Sequence, residues 1–130
     1  MSDRVLLVDD EDDIRAIARL SLERLGGWTV VTASSGDEAV ELVTREAPFT
    51  VVLLDVMMPG SDGPATLLRL RSGRLPPQTP VVFLTAKVQP ADRRRLHGLG
   101  AAGVIAKPFD PMLLSQQLRA ILESGPGEIV

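Results

Sequence analysis

Residues 51–55 read Val-Val-Leu-Leu-Asp, four apolar residues followed by one carboxylate. The run is too short for a helix, is rich in β-branched residues and does not alternate with polar residues. That pattern is typical of a strand buried on both faces of a parallel sheet. Similar runs stand at 5–8, 81–84 and 104–106, and a more mixed stretch at 28–33 indicates an edge strand. The sequence therefore predicts five parallel strands.

Amphipathic segments separate these runs and predict five helices. The first ends at a Gly26-Gly27 pair, the second opens on the capping-box pattern Ser35 to Glu38, and the fifth opens on Asp110 as N-cap with Pro111 in the first turn. The predicted helices lie at about 14–25, 35–43, 62–71, 90–99 and 110–122. Alternating strands and helices indicate right-handed crossovers and a doubly wound α/β fold, in which ligands bind beyond the carboxyl ends of the strands.

Length and composition exclude several classes of protein. The chain has 130 residues, which fits one domain, predicted over 1–124 with a flexible tail at 125–130. Fourteen basic against seventeen acidic residues give a net charge of −3, which argues against a nucleic-acid wrap or a membrane-surface binder. There is no cysteine and a single histidine, so a thiolate metal site and a multi-histidine centre are excluded. No apolar run is long enough to span a bilayer, and we expect a cytoplasmic protein.

Charged and polar side chains follow the predicted strands at the point where each one ends. Asp9 and Asp10 follow the first run, Asp55 the third, Thr85 the fourth and Lys107 the fifth. Three carboxylates brought together repel one another unless a cation lies between them. Oxygen-only ligation favours Mg²⁺. The sequence therefore predicts a magnesium site at this edge of the sheet.

The same edge suits a phosphoryl group. Lys107 supplies a fixed positive charge and Thr85 a short donor, which together can neutralise phosphoryl oxygens. Asp55, from the central strand, is the candidate for a phosphoryl acceptor that forms an acyl phosphate. Taken singly, each residue is equally well explained as a helix cap, a turn residue or a solvated charge. Their common position at the strand ends favours the functional interpretation.

Four motifs resemble the receiver domain of two-component response regulators. They are Val5 to Asp10, Asp55 to Gly60, Phe83 to Lys87 and Ala106 to Phe109, in that order along the chain. The resemblance runs from about Arg4 to Glu123, and the chain is similar to single-domain, chemotaxis-type response regulators. It implies a five-stranded flavodoxin-like sheet in the order 2-1-3-4-5 with helices on both faces.

The resemblance also implies roles for individual residues. Asp55 would be the phosphorylated aspartate, in contact with Thr85 and Lys107 through the phosphoryl group. Mg²⁺ would be held by Asp9, Asp10 and Asp55 together with the backbone carbonyl of Met57. The Lys107-Pro108 peptide would be cis.

The partners implied are a histidine kinase or histidine phosphotransfer protein, which donates the phosphoryl group, and a downstream protein target. Neither nucleic acid nor a membrane is implied as a direct partner. The chain would catalyse only its own phosphorylation and dephosphorylation, and would therefore act as a signalling phosphoacceptor, either free-standing or cut from a longer regulator.

One position departs from the family pattern. Val104 stands three residues before Lys107, where the family usually has Tyr or Phe, whose ring moves inward on phosphorylation. A valine has a stiff χ1 and little volume to move. We therefore expect the signal to pass through Thr85 and the loop after it, where Lys87 could screen the phosphoryl group.

Three other functions remain as alternatives. A Mg²⁺-dependent phosphohydrolase of the haloacid dehalogenase type needs a second Asp two residues after the nucleophile, where this chain has Met57. A dinucleotide-binding domain needs a glycine-rich turn after the first strand, whereas residues 9–13 are all acidic. A pseudo-receiver that only mediates protein contacts would lack Asp55, Thr85 or Lys107, and none is missing. The run Arg93 to Arg95 indicates a solvated or partner-docking face more than a DNA-binding one.

Overall fold

The computed structural model describes residues 3–46, 48–60 and 62–124. The strands are β1 Arg4–Val8, β2 Thr29–Ala33, β3 Val51–Asp55, β4 Val81–Thr85 and β5 Gly103–Ala106. The helices are α1 Asp12–Gly26, α2 Gly36–Glu46, α3 Gly63–Ser72, α4 Pro90–Gly98 and α5 Leu114–Ser124. All strands pair in parallel in the order β2-β1-β3-β4-β5, which confirms the doubly wound, flavodoxin-like fold. The predicted tail at 125–130 lies outside the described residues.

The sheet divides the core into two apolar clusters, one on each face. On one face α2, α3 and α4 pack with side chains such as Leu42, Leu67 and Leu96. On the other face α1 and α5 pack with side chains such as Leu22 and Leu118. Every residue of β3 and β4 is buried, as the continuous apolar runs predict, and β2 is an edge strand, as its mixed composition predicts.

The helix ends follow the predicted signals at α1 and α3. Gly27 ends α1 in the left-handed conformation (φ 69°), which a glycine adopts without a steric penalty. Asp62 precedes α3, and its carboxylate accepts a hydrogen bond from the Ala65 N–H at 2.7 Å. No helix within the described ranges combines the length and the apolar character that crossing a bilayer requires.

Two details of the predicted caps are wrong. The α5 helix begins at Leu114, not at Pro111, although the Asp110 carboxylate does cap the turn before it by accepting from the Met112 N–H at 2.8 Å. At α2 the Ser35 hydroxyl accepts from the Glu38 N–H at 3.1 Å as predicted, but the Glu38 carboxylate accepts from the Ser34 N–H at 2.6 Å. The reciprocal bond therefore reaches one residue further than in a capping box.

Candidate functional site

The carboxyl edge of the sheet brings together Asp9, Asp55 and Lys107. Asp9 follows β1, Asp55 ends the central strand β3, and Lys107 follows β5. The Lys107 ammonium Nζ lies 2.9 Å from Asp9 Oδ2 and 3.3 Å from Asp55 Oδ2. Asp9 and Asp55 are buried, and the Lys107 side chain is 14% exposed. Three of the predicted site residues therefore form one buried charge cluster.

Glu11 joins this cluster, which the sequence did not predict. Its carboxylate lies 3.5 Å from Lys107 Nζ, and ligand oxygens of Asp9, Glu11 and Asp55 all lie within 4.8 Å of one another. The Asp9 carboxylate Oδ1 accepts a bond from the Glu11 N–H at 2.9 Å, and this local turn holds Glu11 over the site. The sequence did contain a signal, because residues 9–13 after β1 are all acidic. That stretch was used only as an argument against a dinucleotide-binding domain.

Asp10 does not belong to this group of three carboxylates. It is partly buried and makes no hydrogen bond or ion pair with a residue that the structure describes. Met57 lies in the loop after β3, and its N–H donates to Asp55 Oδ1 at 3.3 Å, while its side chain is exposed. Thr85 is the last residue of β4, and its hydroxyl accepts a hydrogen bond from the Lys87 N–H at 3.0 Å.

Backbone contacts fix the loops that carry these side chains. The Arg15 guanidinium, from the first turns of α1, donates to the Asp9 carbonyl at 2.8 Å. The Lys107 N–H donates to the Thr85 carbonyl at 2.8 Å, which couples the ends of β4 and β5. The Lys107-Pro108 peptide is cis, as the resemblance implies.

Gly63 is a second residue of the site that sequence reasoning missed. A Cβ at this position would lie 2.8 Å from the Asp55 carbonyl oxygen, from a ring carbon of Phe83 and from the Val56 Cα. The Gly63 N–H also donates to the Val56 carbonyl at 2.7 Å. The absent side chain therefore lets the start of α3 lie directly against the end of β3.

The cluster carries more negative than positive charge. Burial, helped by the negative charge of Asp9 and opposed by Lys107, raises the pKa of Asp55 from 3.8 to about 6. Burial acts to lower the pKa of Lys107, but its contacts with Asp9 and Asp55 outweigh this, so the pKa is raised and the ammonium stays charged. Three carboxylates share this one cation.

The residues present fit a divalent cation. Asp9 Oδ2 and Asp55 Oδ2 are buried, and among the described residues only the Lys107 ammonium reaches them, without hydrogen-bond geometry. Clustered carboxylate oxygens are the ligands of Mg²⁺ and Ca²⁺. A bound divalent ion would both balance the charge and use the vacant acceptor capacity. Fold and site together define an α/β domain with an acidic site at the carboxyl edge of its sheet that fits a divalent cation.

Comparison with known families agrees with this class. A family model of the response regulator receiver domain matches residues 5–119, and the chain belongs to this family of signalling proteins. Its curated relatives include "Probable transcriptional regulator ycf27" of Guillardia theta, 42% identical over 120 residues, which covers 92% of this chain and 45% of that protein. The alkaline phosphatase synthesis transcriptional regulatory protein PhoP of Bacillus subtilis is 38% identical over 122 residues, covering 94% and 49%.

Solved structures of receiver domains share the fold. The chemotaxis response regulator CheY4 of Vibrio cholerae superposes with a TM-score of 0.84 and 31% identity, covering 93% of this chain and 99% of that one. The chain thus spans nearly all of a single-domain regulator, but about half the length of the curated relatives it matches. Receiver domains take phosphoryl groups from histidine kinases.

Val104, which departs from the family pattern, and the single histidine, His97, lie away from this site. Val104 is buried in β5, paired with Phe83 of β4, and belongs to the cluster that packs under α4. His97 lies in the last turn of α4 and lines a groove at the opposite end of the sheet, with its Nδ1 buried and unbonded to any described residue. Neither side chain contacts the charge cluster.

Proposed function

We propose that this chain is an active phosphoacceptor and that Asp55 is the residue that becomes phosphorylated. The observation that carries the proposal is the Asp55 carboxylate itself, buried at the central strand, 3.3 Å from Lys107 Nζ and held through Oδ1 by the Met57 N–H. A carboxylate fixed in this way is oriented for attack on an incoming group. Lys107 and Thr85 are proposed to contact the phosphoryl oxygens.

In the proposed step, an Asp55 carboxylate oxygen forms a bond to phosphorus as the phosphorus–nitrogen bond of a phosphohistidine breaks. The imidazole nitrogen leaves with the electron pair and takes up a proton. Lys107 stabilises the negative charge on the phosphoryl oxygens as a point charge. Burial keeps this interaction strong, because the site excludes most of the water that would screen it.

We propose that Asp9, Asp10 and Asp55, with the backbone carbonyl of Met57, hold Mg²⁺, and that Glu11 adds a further carboxylate. Asp10 stays in the proposed set because it follows Asp9 at the end of β1 and has no other described partner. The ion would supply positive charge to the phosphoryl oxygens. The proposal rests on the excess of buried negative charge at this edge.

The proposed donor is a histidine kinase or a histidine phosphotransfer protein, and the proposed output is a change in a surface that docks a protein target. The chain would act as a signalling phosphoacceptor rather than as an enzyme that turns over a substrate. The cytoplasm is its proposed compartment, because ATP, from which histidine kinases draw the phosphoryl group, is found there. No direct contact of this chain with nucleic acid or a membrane is proposed.

We further propose that the signal leaves through Thr85. Its hydroxyl now accepts the Lys87 N–H, so a turn toward the phosphoryl group gives up that bond and frees the loop before α4. Val104 is packed under α4 and cannot serve as a moving ring. Amide exchange with and without a phosphoryl mimic should change from Thr85 to Leu99. Changes confined to Asp9, Asp55 and their neighbours would exclude this route.

The experiment that tests the phosphoacceptor is intact-mass measurement after incubation with a small-molecule phosphodonor, with and without Mg²⁺. We expect one added phosphoryl group, dependent on Mg²⁺, in the wild type and none in Asp55→Asn. Asp62→Asn is the matched control, because Asp62 is an exposed helix cap and Asn caps equally well. Equal phosphorylation of the Asp55→Asn variant would refute the assignment.

The role of Lys107 is tested in the same assay. Lys107→Ala and Lys107→Arg should both slow phosphorylation or its consequences more than they lower stability, since a planar guanidinium cannot replace a compact ammonium between two carboxylates. If both variants are phosphorylated and respond like the wild type, Lys107 is only a structural charge.

A further inference from the structure

Charge is divided unevenly along this chain. Residues 63–108, from α3 to the Lys107-Pro108 peptide that follows β5, contain eight basic residues and one acidic residue, Asp92, a formal charge of +7. The remainder contains six basic and sixteen acidic residues, a formal charge of −10. Lys107 belongs to the acidic cluster, but five of the other cations lie on α3 and α4, which pack on the same face of the sheet beside the acidic helix α2.

Several of these cations have no carboxylate to balance them. Elsewhere on the molecule some exposed arginines pair with carboxylates, as Arg19 does with Glu23 at 3.2 Å and Arg45 with Glu41 at 3.7 Å. In contrast Arg74 and Arg94 are exposed and make no ion pair with any residue in the described ranges. Arg94 precedes the last turn of α4, where cations stabilise the helix dipole, and Arg74 lies outside α3, in the loop that leads to β4.

A groove of about 700 Å³ lies at the amino edge of the sheet, opposite the proposed phosphorylation site. Its lining is mostly apolar and includes Pro77, Pro80, Ala102 and Leu122, and its polar members are Thr50, Arg71, Gln78 and His97. Arg94 stands three residues before His97 on α4 and so lies on the same side of that helix. Arg74 follows directly on the cap of α3, the helix that carries Arg71.

We propose that this amino-edge groove, with Arg71, Arg74 and Arg94 as its basic rim, docks an acidic segment of a partner protein that places an apolar side chain between its carboxylates. Charge complementarity favours an acidic segment, because Arg71 lines the groove and the exposed Arg74 and Arg94 stand near lining residues in the sequence, against one exposed carboxylate, Glu123, next to Leu122. The side chains of Pro77, Pro80 and Leu122 are apolar, so the groove favours an apolar side chain of the bound segment.

A nucleic acid fits this surface less well. The phosphate backbone would meet the basic rim, but most of the lining is apolar and leaves only Thr50, Gln78 and His97 beside Arg71 to contact bases or sugars. The acidic remainder of the chain, with its formal charge of −10, repels a polyanion that extends beyond the rim. A second copy of the chain could place its acidic side on this face, but such a head-to-tail contact closes into a ring only for particular rotations and otherwise leads to open polymers.

The test is binding of a short fluorescein-labelled peptide of repeating Glu-Glu-Leu, followed by fluorescence anisotropy at several salt concentrations. We expect saturable binding that weakens as salt rises. The double variant Arg74→Glu with Arg94→Glu should weaken it by at least about tenfold, because each change replaces attraction by repulsion. The matched control is Arg24→Glu with Arg45→Glu, which changes the net charge equally at exposed positions of α1 and α2 and should leave binding within about twofold.

Two further probes decide the chemistry of the occupant. A peptide with Ser in place of Leu should bind about tenfold more weakly, because it lacks the anchor. Duplex DNA should bind more weakly than the acidic peptide at the same salt. The proposal is overturned if both double variants lose affinity equally, if the Leu and Ser peptides bind alike, if DNA binds more tightly, or if the peptide does not bind. Unchanged phosphorylation by a small-molecule donor shows that the rim variants are folded.

Discussion

The two ends of the sheet treat their polar groups in opposite ways. At the amino edge the backbone groups are hydrogen-bonded: the Arg4 N–H donates to the Thr50 hydroxyl at 3.0 Å, and the Thr29 N–H to the Asp3 carbonyl at 2.9 Å. At the carboxyl edge the buried oxygens of Asp9 and Asp55 have only the Lys107 ammonium beside them. Among the described residues the amino edge leaves one buried imidazole nitrogen, His97 Nδ1, without a partner, whereas the carboxyl edge leaves two carboxylate oxygens that can bind a cation.

The difference between the two edges indicates that one mainly stabilises the fold and the other mainly binds a ligand. Buried polar atoms are nearly always hydrogen-bonded in proteins, and the exceptions concentrate at functional sites. Here two of the three exceptions among the described residues, Asp9 Oδ2 and Asp55 Oδ2, lie where parallel sheets bind their ligands. Removing a carboxylate at the carboxyl edge should therefore weaken ligand binding and raise the unfolding free energy of the metal-free protein. Removing a carboxylate elsewhere should do neither.

The largest effect is expected on Mg²⁺ affinity. Asp10→Ala removes a proposed ligand from a site with few protein ligands, and we expect the affinity to fall by about 100-fold or more. Loss of groups one step removed from a metal already costs about 10–100-fold. Calorimetric titration measures this, with Asp13→Ala as a control of equal charge on the first turn of α1. An unchanged affinity in Asp10→Ala would assign the ligand role to Asp9, Glu11 and Asp55 alone.

The next effect is on the stability of the metal-free protein. Because the pKa of Asp55 is raised from 3.8 to about 6, the folded state binds more protons than the unfolded state between those values. Stability contributed by this group therefore falls as pH rises through that range. Asp55→Asn should raise the unfolding free energy at pH 7 by about 1–3 kcal/mol, and by less at pH 5.

Denaturant unfolding at both pH values measures this prediction. Asp62→Asn serves as the control and should stay within about 0.5 kcal/mol of the wild type at either pH, since Asn caps a helix as well as Asp does. If Asp55→Asn is no more stable than the wild type at pH 7, the carboxyl edge is not under electrostatic strain.

A smaller effect on stability is expected when a methyl group is added at Gly63. Gly63→Ala should destabilise the protein by about 1–2 kcal/mol, because its Cβ would lie 2.8 Å from the backbone at the end of β3. Gly98→Ala is the matched variant near the amino edge, where an added Cβ meets nothing within 4 Å, and it should be neutral or slightly stabilising. Thermal unfolding compares the two. Equal melting temperatures would show that α3 does not press on the site.

The smallest effect is expected at an exposed ion pair. The Arg69–Asp37 contact between α3 and α2 is 2.7 Å long, shorter than the Lys107–Asp9 contact at 2.9 Å, but its side chains are 45% and 87% exposed. Asp37→Asn should change the unfolding free energy by less than about 0.5 kcal/mol, because solvent screens the pair. A loss above 1 kcal/mol would mean that distance, and not burial, sets the strength of charge pairs in this protein.

The sequence predicted the fold because its main signals are local. Runs such as 51–54 and 81–84 are apolar throughout, and only a strand covered on both faces has that composition. The predicted start of α5 was wrong because Asp110 and Pro111 favour a turn as much as a helix, and the hydrogen bonds of that turn decide between them.

The site was only partly predictable for a different reason. Asp9, Asp55 and Lys107 end their strands, so the topology alone brings them together. Glu11 reaches the cluster through a side-chain-to-backbone turn at Asp9, and Gly63 matters through a close contact with β3. Both depend on tertiary geometry, which periodicity and spacing do not encode.

The most direct test of the account is an NMR titration of the Asp55 carboxyl carbon, assigned by its absence in Asp55→Asn, without and with saturating Mg²⁺. In the metal-free protein we predict a pKa of about 6, caused by burial and by Asp9. With Mg²⁺ the pKa should fall well below that value, because the cation stabilises the carboxylate. A metal-free pKa near 3.8, or a pKa that Mg²⁺ leaves unchanged, would contradict the claim that this edge holds excess negative charge for a cation.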